Sequence, residues 1–287
     1  MKNLRKHPVQ TIARYLCYLL LLVIVLFPLY WILIMSFKDF RDIVSYPPKF
    51  FFTPTLKNYS NVLLGGKTLS QLRRLPDFVQ YVLNSCIISL GAVLVSLILG
   101  LPAAYVLARD SSKRSRRIAS NFMSYRFAPE LLVLLSLYSI FKSLRLYDTY
   151  AGMIAVHQLI TLPLTIWICM GFFKDVPKAL EEAAMLDGAR VWTVFYRIVL
   201  PIVKPGIGSA VIISFIYSWN NLLFGLIMSG GKTMPVTMGI LQTMTFDQIK
   251  WGEMAACAVI SALPGVCLAV FAQKFLVKGL TMGAVKS

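Results

Sequence analysis

The sequence predicts an all-α membrane protein with one transmembrane domain over residues 1–287. Its composition is 57% hydrophobic and only 14% charged, whereas about 25% of the residues in an ordinary soluble domain are charged. Six apolar stretches have about the 20 residues that a helix needs to cross a bilayer core of about 30 Å. Basic residues flank these stretches, and Lys and Arg outnumber Asp and Glu by 29 to 12.

The first apolar stretch, residues 15–37, has 23 residues and no charge. It is too long for the core of a signal peptide, and no small-residue cleavage site follows it, so a retained helix is predicted. The six candidate spans are residues 15–37, 81–108, 118–141, 149–173, 205–228 and 254–277.

The distribution of basic residues predicts that both termini are cytoplasmic. Residues 1–14 contain four basic residues and no acid, and residues 109–117 contain five basic residues and one acid. Segment 38–80 then lies outside, and six spans return the C-terminus to the cytoplasmic side of the cell inner membrane.

The net charge of +17 would suggest a nucleic-acid partner in a soluble protein. Here the basic residues lie beside apolar runs, where lipid headgroups are the expected partner. The prediction is therefore a lipid bilayer and no nucleic acid. The five cysteines form no CxxC pair, so neither a metal site nor a disulfide is predicted.

The third span is the least regular because it contains Arg126, Pro129 and Glu130. Arg126 and Glu130 are four residues apart, so in a continuous helix they share one face and can pair. Pro129 would kink that helix. Charges at this depth are costly unless they face protein or water.

Acidic residues are concentrated between the fourth and fifth spans, in a segment (residues 177–200) that we call the elbow. Glu181 and Glu182 lie early in a short predicted helix, Asp187 follows them, and Gly188 is a natural helix stop. A second short helix follows, and Pro201 is predicted to end it. Neither helix is long enough to cross a bilayer, so both are predicted to lie at the cytoplasmic face.

Two interpretations of the elbow remain open from helical spacing alone. It could be an amphipathic helix on lipid headgroups, or it could dock on another protein. Its polar face is acidic, which is the wrong sign for anionic lipids. Ala183 and Ala184 provide a small, flat surface that favours a protein partner.

The stretch "EAAMLDGARVWTVFYRIVLP" resembles the EAA loop of permease subunits in binding-protein-dependent ABC importers. The pattern is E-A-A, three residues, G, nine residues and I-x-L-P; here its residues are Glu182, Ala183, Ala184, Gly188, Ile198, Leu200 and Pro201. "PTLKNYSNVL", "YVLNSCIISL", "AAYVLAR" and "SWNNLLF" are similar to the carbohydrate-uptake branch, and most so to the smaller permease subunit of maltose-type systems. "RFAPE" in the third span departs from that subunit, whose helix is more uniformly apolar.

This resemblance implies the type I permease fold of ABC importers, with a cytoplasmic coupling helix that docks on an ATPase. It implies four kinds of partner: a homologous second permease, two ABC ATPase subunits, an extracytoplasmic substrate-binding protein and the bilayer. The substrate would be a sugar or a related carbohydrate or polyol. The residues assigned to ATPase coupling are Glu181, Glu182, Ala183, Ala184, Asp187, Gly188, Ile198, Leu200 and Pro201.

The sequence "GGKT" occurs at residues 65–68 and 230–233, but neither copy matches a phosphate-binding loop. That loop also needs Gly five residues before its Gly-Lys pair, where these copies have Asn61 and Leu226. We therefore predict that this chain binds no cofactor and is not an enzyme, and that ATP and Mg²⁺ are bound by the partner ATPase subunits.

Polar residues within the spans are candidates for a substrate pathway. They are Asn84, Arg126, Glu130, His157, Gln158, Trp219, Asn220 and Asn221. The amides could instead join helices, at about 0.6 to 2 kcal/mol each. Arg126 and Glu130 are hypothesised to line or gate the pathway. The competing function is a stand-alone secondary carrier driven by an ion gradient, in which Arg126 and Glu130 could couple transport to protons. Such carriers typically show internal repeats, and none is evident in this sequence.

Overall fold

The computed structural model describes residues 8–65, 76–124, 128–244 and 249–283. Apart from one isolated antiparallel bridge between Met244 and Ile249, the regular structure of these residues is helical. The helices are α1 (Pro8–Ser36), α2 (Phe40–Ile43), α3 (Lys57–Leu64), α4 (Asp77–Arg109), α5 (Lys113–Ser124), α6 (Glu130–Ser143), α7 (Tyr150–Asp175), α8 (Lys178–Leu186), α9 (Val191–Val194), a π-helical turn (Phe195–Val199), α10 (Leu200–Ile202), α11 (Lys204–Trp219), α12 (Leu223–Met228), α13 (Val236–Leu241) and α14 (Trp251–Gly283).

Four helical stretches in the described residues are long and apolar enough to cross a membrane. They are Thr11–Ser36, Asp77–Arg109, Tyr150–Asp175 and Trp251–Leu268. A fifth candidate is the pair Val191–Ile202 and Lys204–Trp219, which is bent by 76°.

The predicted third span, 118–141, falls on two helices rather than one. Pro129 has φ −59° and ψ 112°, and α6 begins at the next residue, Glu130. Proline has no N–H to donate to a preceding turn, which explains why a new helix starts here. Arg126 lies outside the described residues, and so does its predicted pairing with Glu130.

The predicted fifth span, 205–228, is also divided. α11 ends at Trp219, residues 220–222 are not helical, and α12 begins at Leu223. Two asparagine side chains bond to the backbone at this break. Asn220 Nδ2 donates to the Ile216 carbonyl at 2.9 Å, and Asn221 Oδ1 accepts from the Phe224 amide at 2.8 Å.

The chain divides into two compact units, of which the smaller comprises residues 1–76 and 240–260. In this unit the end of α1 is covered by the segment that follows it. Lys38 is buried, donates to the Lys49 carbonyl at 2.5 Å and lies 4.5 Å from the centre of the Trp31 ring. Burial lowers the pKa of the Lys38 ammonium.

The larger unit comprises residues 77–239 and 261–287, and its central feature is the parallel packing of α4 on α7. Tyr150 donates to Asn84 at 2.7 Å near the start of both helices, and Ser96 donates to Thr161 at 2.6 Å near the middle. At their ends, Arg109 Nη1 donates to the Phe173 carbonyl at 2.7 Å. The matched order of these contacts shows that the two helices run in the same direction.

The pair α11 and α12 runs antiparallel to α7. Gly206, near the start of α11, lies against the Phe172 ring near the end of α7. The ring of Phe224 in α12 instead meets His157 in the first half of α7, with ring centres 4.9 Å apart.

Candidate functional site

The first half of the elbow is α8, and it ends as the sequence predicts. Gly188 has φ 86°, which a residue with a side chain adopts only at a cost. Its amide donates to the Met185 carbonyl at 3.0 Å, and the Ala189 amide donates to the Ala184 carbonyl at 2.9 Å. These bonds cap the helix and allow the chain to turn sharply towards α9.

The second half of the elbow passes through α9, the π-helical turn and α10. The helical path ends at Ile202, so the prediction that it ends at Pro201 is wrong by one residue. Pro201 is the second residue of α10, directly after the π-helical turn has shifted the hydrogen-bond register. A missing N–H is tolerated in a first turn.

The elbow is anchored by apolar side chains from its second half. Val194, Phe195 and Val199 are almost fully buried in a cluster that contains Tyr105 of α4 and Phe173 of α7. The ring centres of Tyr105 and Phe195 are 5.0 Å apart. This packing fixes the elbow beneath the last turns of α4 and α7.

The two neighbouring glutamates of α8 have different environments. Glu181 is 5% exposed, whereas Glu182 is exposed. The Glu181 carboxylate accepts from Tyr105 Oη at 2.6 Å, from Arg109 Nε at 2.7 Å and from Arg109 Nη2. Glu181 therefore faces the protein interior and is not part of the exposed surface of α8.

Sequence reasoning missed Tyr105 and Arg109 as parts of the elbow's environment. The available signal was a basic residue in the last turn of α4, within "AAYVLAR", a stretch that the resemblance had already singled out. Composition alone gave no reason to pair Arg109 with an acid more than 70 positions along the chain.

Several elbow residues are exposed and available to a partner. Leu186 is 89% exposed, Trp192 62% and Tyr196 57%, and the rings of the last two stack with centres 5.9 Å apart. Of the remaining predicted coupling residues, Glu182, Ala183, Asp187, Gly188 and Pro201 are exposed, and Ala184, Ile198 and Leu200 are half-buried. An exposed apolar and acidic surface on a rigid support is suited to docking.

Three of the predicted pathway residues line one cavity. Glu130, Asn220 and Asn221 surround a space of about 340 Å³ together with Ile160 and Tyr217. A neighbouring cavity of about 200 Å³ shares Glu130, Ile160 and Tyr217 with it. Ile160 lies near the middle of α7, so the cavity lies level with the middle of that helix, beside the breaks before α6 and after α11. Non-helical backbone inside a membrane is tolerated where it is buried in protein or lines a cavity.

The other predicted pathway residues join structural elements. Asn84 is buried and donates to the carbonyls of Lys232 and Met234 at 3.0 and 2.9 Å. Gln158 accepts from Ser96 at 2.7 Å.

His157 and Trp219 are likewise packed within the protein. His157 Nδ1 bonds to the Met153 carbonyl at 2.7 Å. Trp219 is 4% exposed and donates to the Ser261 carbonyl at 3.0 Å. The aromatic side chain at the cavity is Tyr217, which the sequence analysis did not select.

The second "GGKT" segment holds a side chain of the protein itself. The Asp148 carboxylate accepts from the amides of Gly230, Lys232 and Thr233 at 2.9, 3.2 and 2.9 Å, and from Thr233 Oγ1 at 2.8 Å. Burial raises the pKa of Asp148, but these hydrogen bonds outweigh it, so the pKa lies below its usual value of 3.8. Among the described residues, no three His, Cys, Asp or Glu side chains come together where they could hold a metal ion.

Comparison with known proteins identifies the family. The model of the binding-protein-dependent transport system inner membrane component matches residues 96–282. The diacetylchitobiose uptake system permease protein of Streptomyces coelicolor is 33% identical over 263 residues, which cover 91% of this chain and 91% of that protein. The trehalose/maltose transport system permease protein of Thermococcus litoralis is 31% identical over 271 residues, which cover 93% and 94%.

A solved structure shares the fold. The chain resembles one in the crystal structure of a bacterial ABC transporter involved in the import of the acidic polysaccharide alginate, with a TM-score of 0.75 and 17% identity over 96% of this chain and 99% of that one. These similarities favour the importer over the ion-coupled carrier. Because the family model covers most of its length, the chain belongs to the family of inner membrane components of binding-protein-dependent transport systems.

Proposed function

We propose that this chain forms half of an alternating-access pathway that imports a sugar or a related polyol, with a homologous second permease forming the other half. An extracytoplasmic binding protein delivers the substrate. Two ATPase subunits bind and hydrolyse ATP with Mg²⁺, and this chain contributes no nucleotide site. The observation that carries the proposal is the exposed elbow, rigidly attached to the ends of two spans.

The distribution of charge supports the orientation. The elbow lies beside the end of α4, where the basic segment 109–117 begins, and basic segments favour the cytoplasmic side. ATP is hydrolysed in the cytoplasm, so an ATPase has access to the exposed Leu186 and Trp192 only in this orientation. With six spans, the same orientation would put both termini in the cytoplasm.

The relatives and the cavity support a carbohydrate substrate. The names of two relatives specify diacetylchitobiose and trehalose or maltose. The cavity presents a carboxylate from Glu130, two amides from Asn220 and Asn221, and the aromatic ring of Tyr217. A carboxylate accepts hydrogen bonds from hydroxyl groups, and an amide both accepts from them and donates to them. An aromatic ring packs on an apolar face.

Co-purification from the native membrane tests the assembly. The tagged wild-type chain is expected to bring down a second permease and an ATPase, identified by mass spectrometry. Gly188→Pro is expected to lose the ATPase, because proline fixes φ near −65° where the chain needs 86°. Glu182→Lys is expected to lose it through reversed charge. Asp39→Lys, an exposed reversal outside the elbow, is the matched control and retains it.

Two outcomes of this co-purification contradict the proposal. If the wild-type chain is purified alone in an active form, it is not an importer subunit. If both elbow variants retain the ATPase as well as Asp39→Lys does, the docking surface lies elsewhere on the chain.

A further inference from the structure

We propose that Arg109, Glu181 and Tyr105 form a joint that passes movement of the elbow to spans α4 and α7. The inference rests on the proposed function, because it concerns what happens after an ATPase has moved the elbow. In this proposal Arg109 and Glu181 are positioning residues.

One guanidinium group connects three helices at this joint. Arg109 belongs to α4, its Nε and Nη2 donate to Glu181 of α8, and its Nη1 donates to the Phe173 carbonyl of α7. Tyr105, one turn earlier in α4, donates to the second carboxylate oxygen at 2.6 Å. A further bond returns from α8, since Lys178 Nζ donates to the Arg109 carbonyl at 3.3 Å.

The geometry of these bonds restricts relative movement. Arginine presents its donors in a rigid planar fork, whereas lysine presents a single ammonium on a flexible stem. The fork here uses donors on both sides, one side towards α8 and the other towards α7. The side chains of Arg109 and Glu181 are 16% and 7% exposed, so little water is available to replace a broken bond.

The remaining attachments of α8 are few. Leu180, Met185 and Leu186 are 47%, 41% and 89% exposed, and Glu182 and Ala183 are also exposed. Glu181 is the one residue of this helix that is buried, while Ala184 packs partly against the cluster around Tyr105. A force on the exposed side of α8 therefore reaches α4 directly through Glu181, in addition to the short chain connections of α8 to α7 and α9.

The experiment measures whether α8 and α4 move as one body. Spin labels are placed at Ala179→Cys, an exposed position in the first turn of α8 outside the predicted coupling residues, and at Val106→Cys, an exposed position of α4. The background carries no native cysteine, and the complex is purified with its ATPase from the native membrane. The distance between the labels is measured without nucleotide and after trapping with ATP and vanadate.

The wild-type distance is expected to be the same in both states. Glu181→Ala is expected to keep the ATPase bound and to trap nucleotide, but its label distance should change on trapping. Arg109→Lys keeps the positive charge but lacks the planar fork of donors. Its label distance should change on trapping, but less than that of Glu181→Ala. The double variant Arg109→Glu, Glu181→Arg keeps an ion pair with its charges exchanged. Its label distance should change less on trapping than that of Glu181→Ala, which a purely structural role would not predict.

If the label distance in the wild-type complex changes on trapping, the proposed joint is contradicted, whatever the variants show. A constant distance in both Glu181→Ala and Arg109→Lys also contradicts it. If the wild-type complex contains no ATPase or traps no nucleotide, the proposed function itself fails and the joint fails with it. The amount of trapped nucleotide, measured on the same sample, distinguishes a failure of the joint from a failure of the proposed function.

Discussion

Asp148 illustrates how one side chain determines the role of a short motif. It has φ 54°, a left-handed conformation that Asp adopts more readily than most residues. In this conformation its carboxylate meets three backbone amides of residues 230–233. The segment resembles the end of a phosphate-binding loop because successive amides can hold an anion, and here that anion belongs to the protein.

Asp148→Asn is expected to destabilise the loop at neutral pH by about 1.5 to 3 kcal/mol, the range for hydrogen bonds to a charged group. Because folding lowers this pKa, the carboxylate contributes its full stabilisation above the usual value of 3.8 and loses it as the pH falls through the lowered one. The unfolding temperatures of wild type and variant, measured in detergent across an acid-to-neutral series, should therefore converge in acid. Asp39→Asn, whose carboxylate caps no helix, is the control. A difference that persists unchanged in acid would contradict this account.

Glu181 and Glu182 show what sequence reasoning achieved at this scale and where it stopped. The sequence predicts a short acidic helix here, and it predicts that this helix stops at Gly188, as the structure shows. Which acid turns inward depends on the rotation of α8 relative to the last turn of α4. That rotation is set by tertiary packing around Tyr105 and Arg109 and has no local signal.

At the scale of elements, α4 and α7 approach closely because small residues lie between them. A side chain at Gly100 would meet Thr165 Cγ2 at 3.0 Å, and one at Gly91 would meet the flexible end of Ile154 at 2.5 Å. Small residues let two helices in a membrane approach closely and gain packing. The hydroxyl of Ser96 adds a direct bond to Thr161 at the same interface.

Gly100→Leu is expected to force α4 and α7 apart and to cost about 1 to 3 kcal/mol or more through overpacking. Gly171→Leu, the same change in the same helix pair, is the matched control because nothing lies within 4 Å of its new Cβ. The measurement is the yield and the unfolding temperature of the detergent-solubilised protein. Equal losses in the two variants would show that the close approach at Gly100 does not determine stability.

The broken spans explain which pathway residues could be found from sequence. Polar residues at membrane depth pointed to Glu130, Asn220 and Asn221, and these line the cavity. Trp219 lies on another face, because successive helical residues are rotated by about 100°. Tyr217 lies in the last turn of α11 and lines the cavity together with the two asparagines that follow the helix.

Glu130→Gln and Tyr217→Phe are expected to lower uptake at least about tenfold, equivalent to about 1.4 kcal/mol, while leaving assembly with the ATPase intact. Glu130→Gln removes a negative charge from the cavity lining and Tyr217→Phe removes a hydroxyl group, each with little change in volume. Uptake is measured with the sugar that the cognate binding protein is found to carry. Trp219→Phe is the informative comparison, since its side chain packs away from the cavity. Unchanged uptake in both cavity variants would exclude this cavity from the pathway.

At the scale of the larger unit, the parallel packing of α4 and α7 determines how residues 110–149 must run. The ends of both helices meet at Arg109 and Phe173, and their starts meet at Asn84 and Tyr150. If α4 and α7 each cross the bilayer in the same direction, residues 110–149 between them must cross back. The part of α5 that follows the basic segment, residues 118–124, has 7 residues and α6 has 14, together about 32 Å at about 1.5 Å per residue, which is enough for a core of about 30 Å.

A third crossing is therefore expected, although neither α5 nor α6 could span the bilayer alone. Single cysteines at Ser112, Leu144, Asp187 and Lys232 are exposed positions that test it. In intact spheroplasts a membrane-impermeant maleimide should label Leu144→Cys and Lys232→Cys, whereas Ser112→Cys and Asp187→Cys should react only after permeabilisation. Labelling of Ser112→Cys and Leu144→Cys from one side would mean that residues 110–149 do not cross. The parallel packing of α4 and α7 would then require one of them not to span, and the elbow would lose its access to a cytoplasmic ATPase.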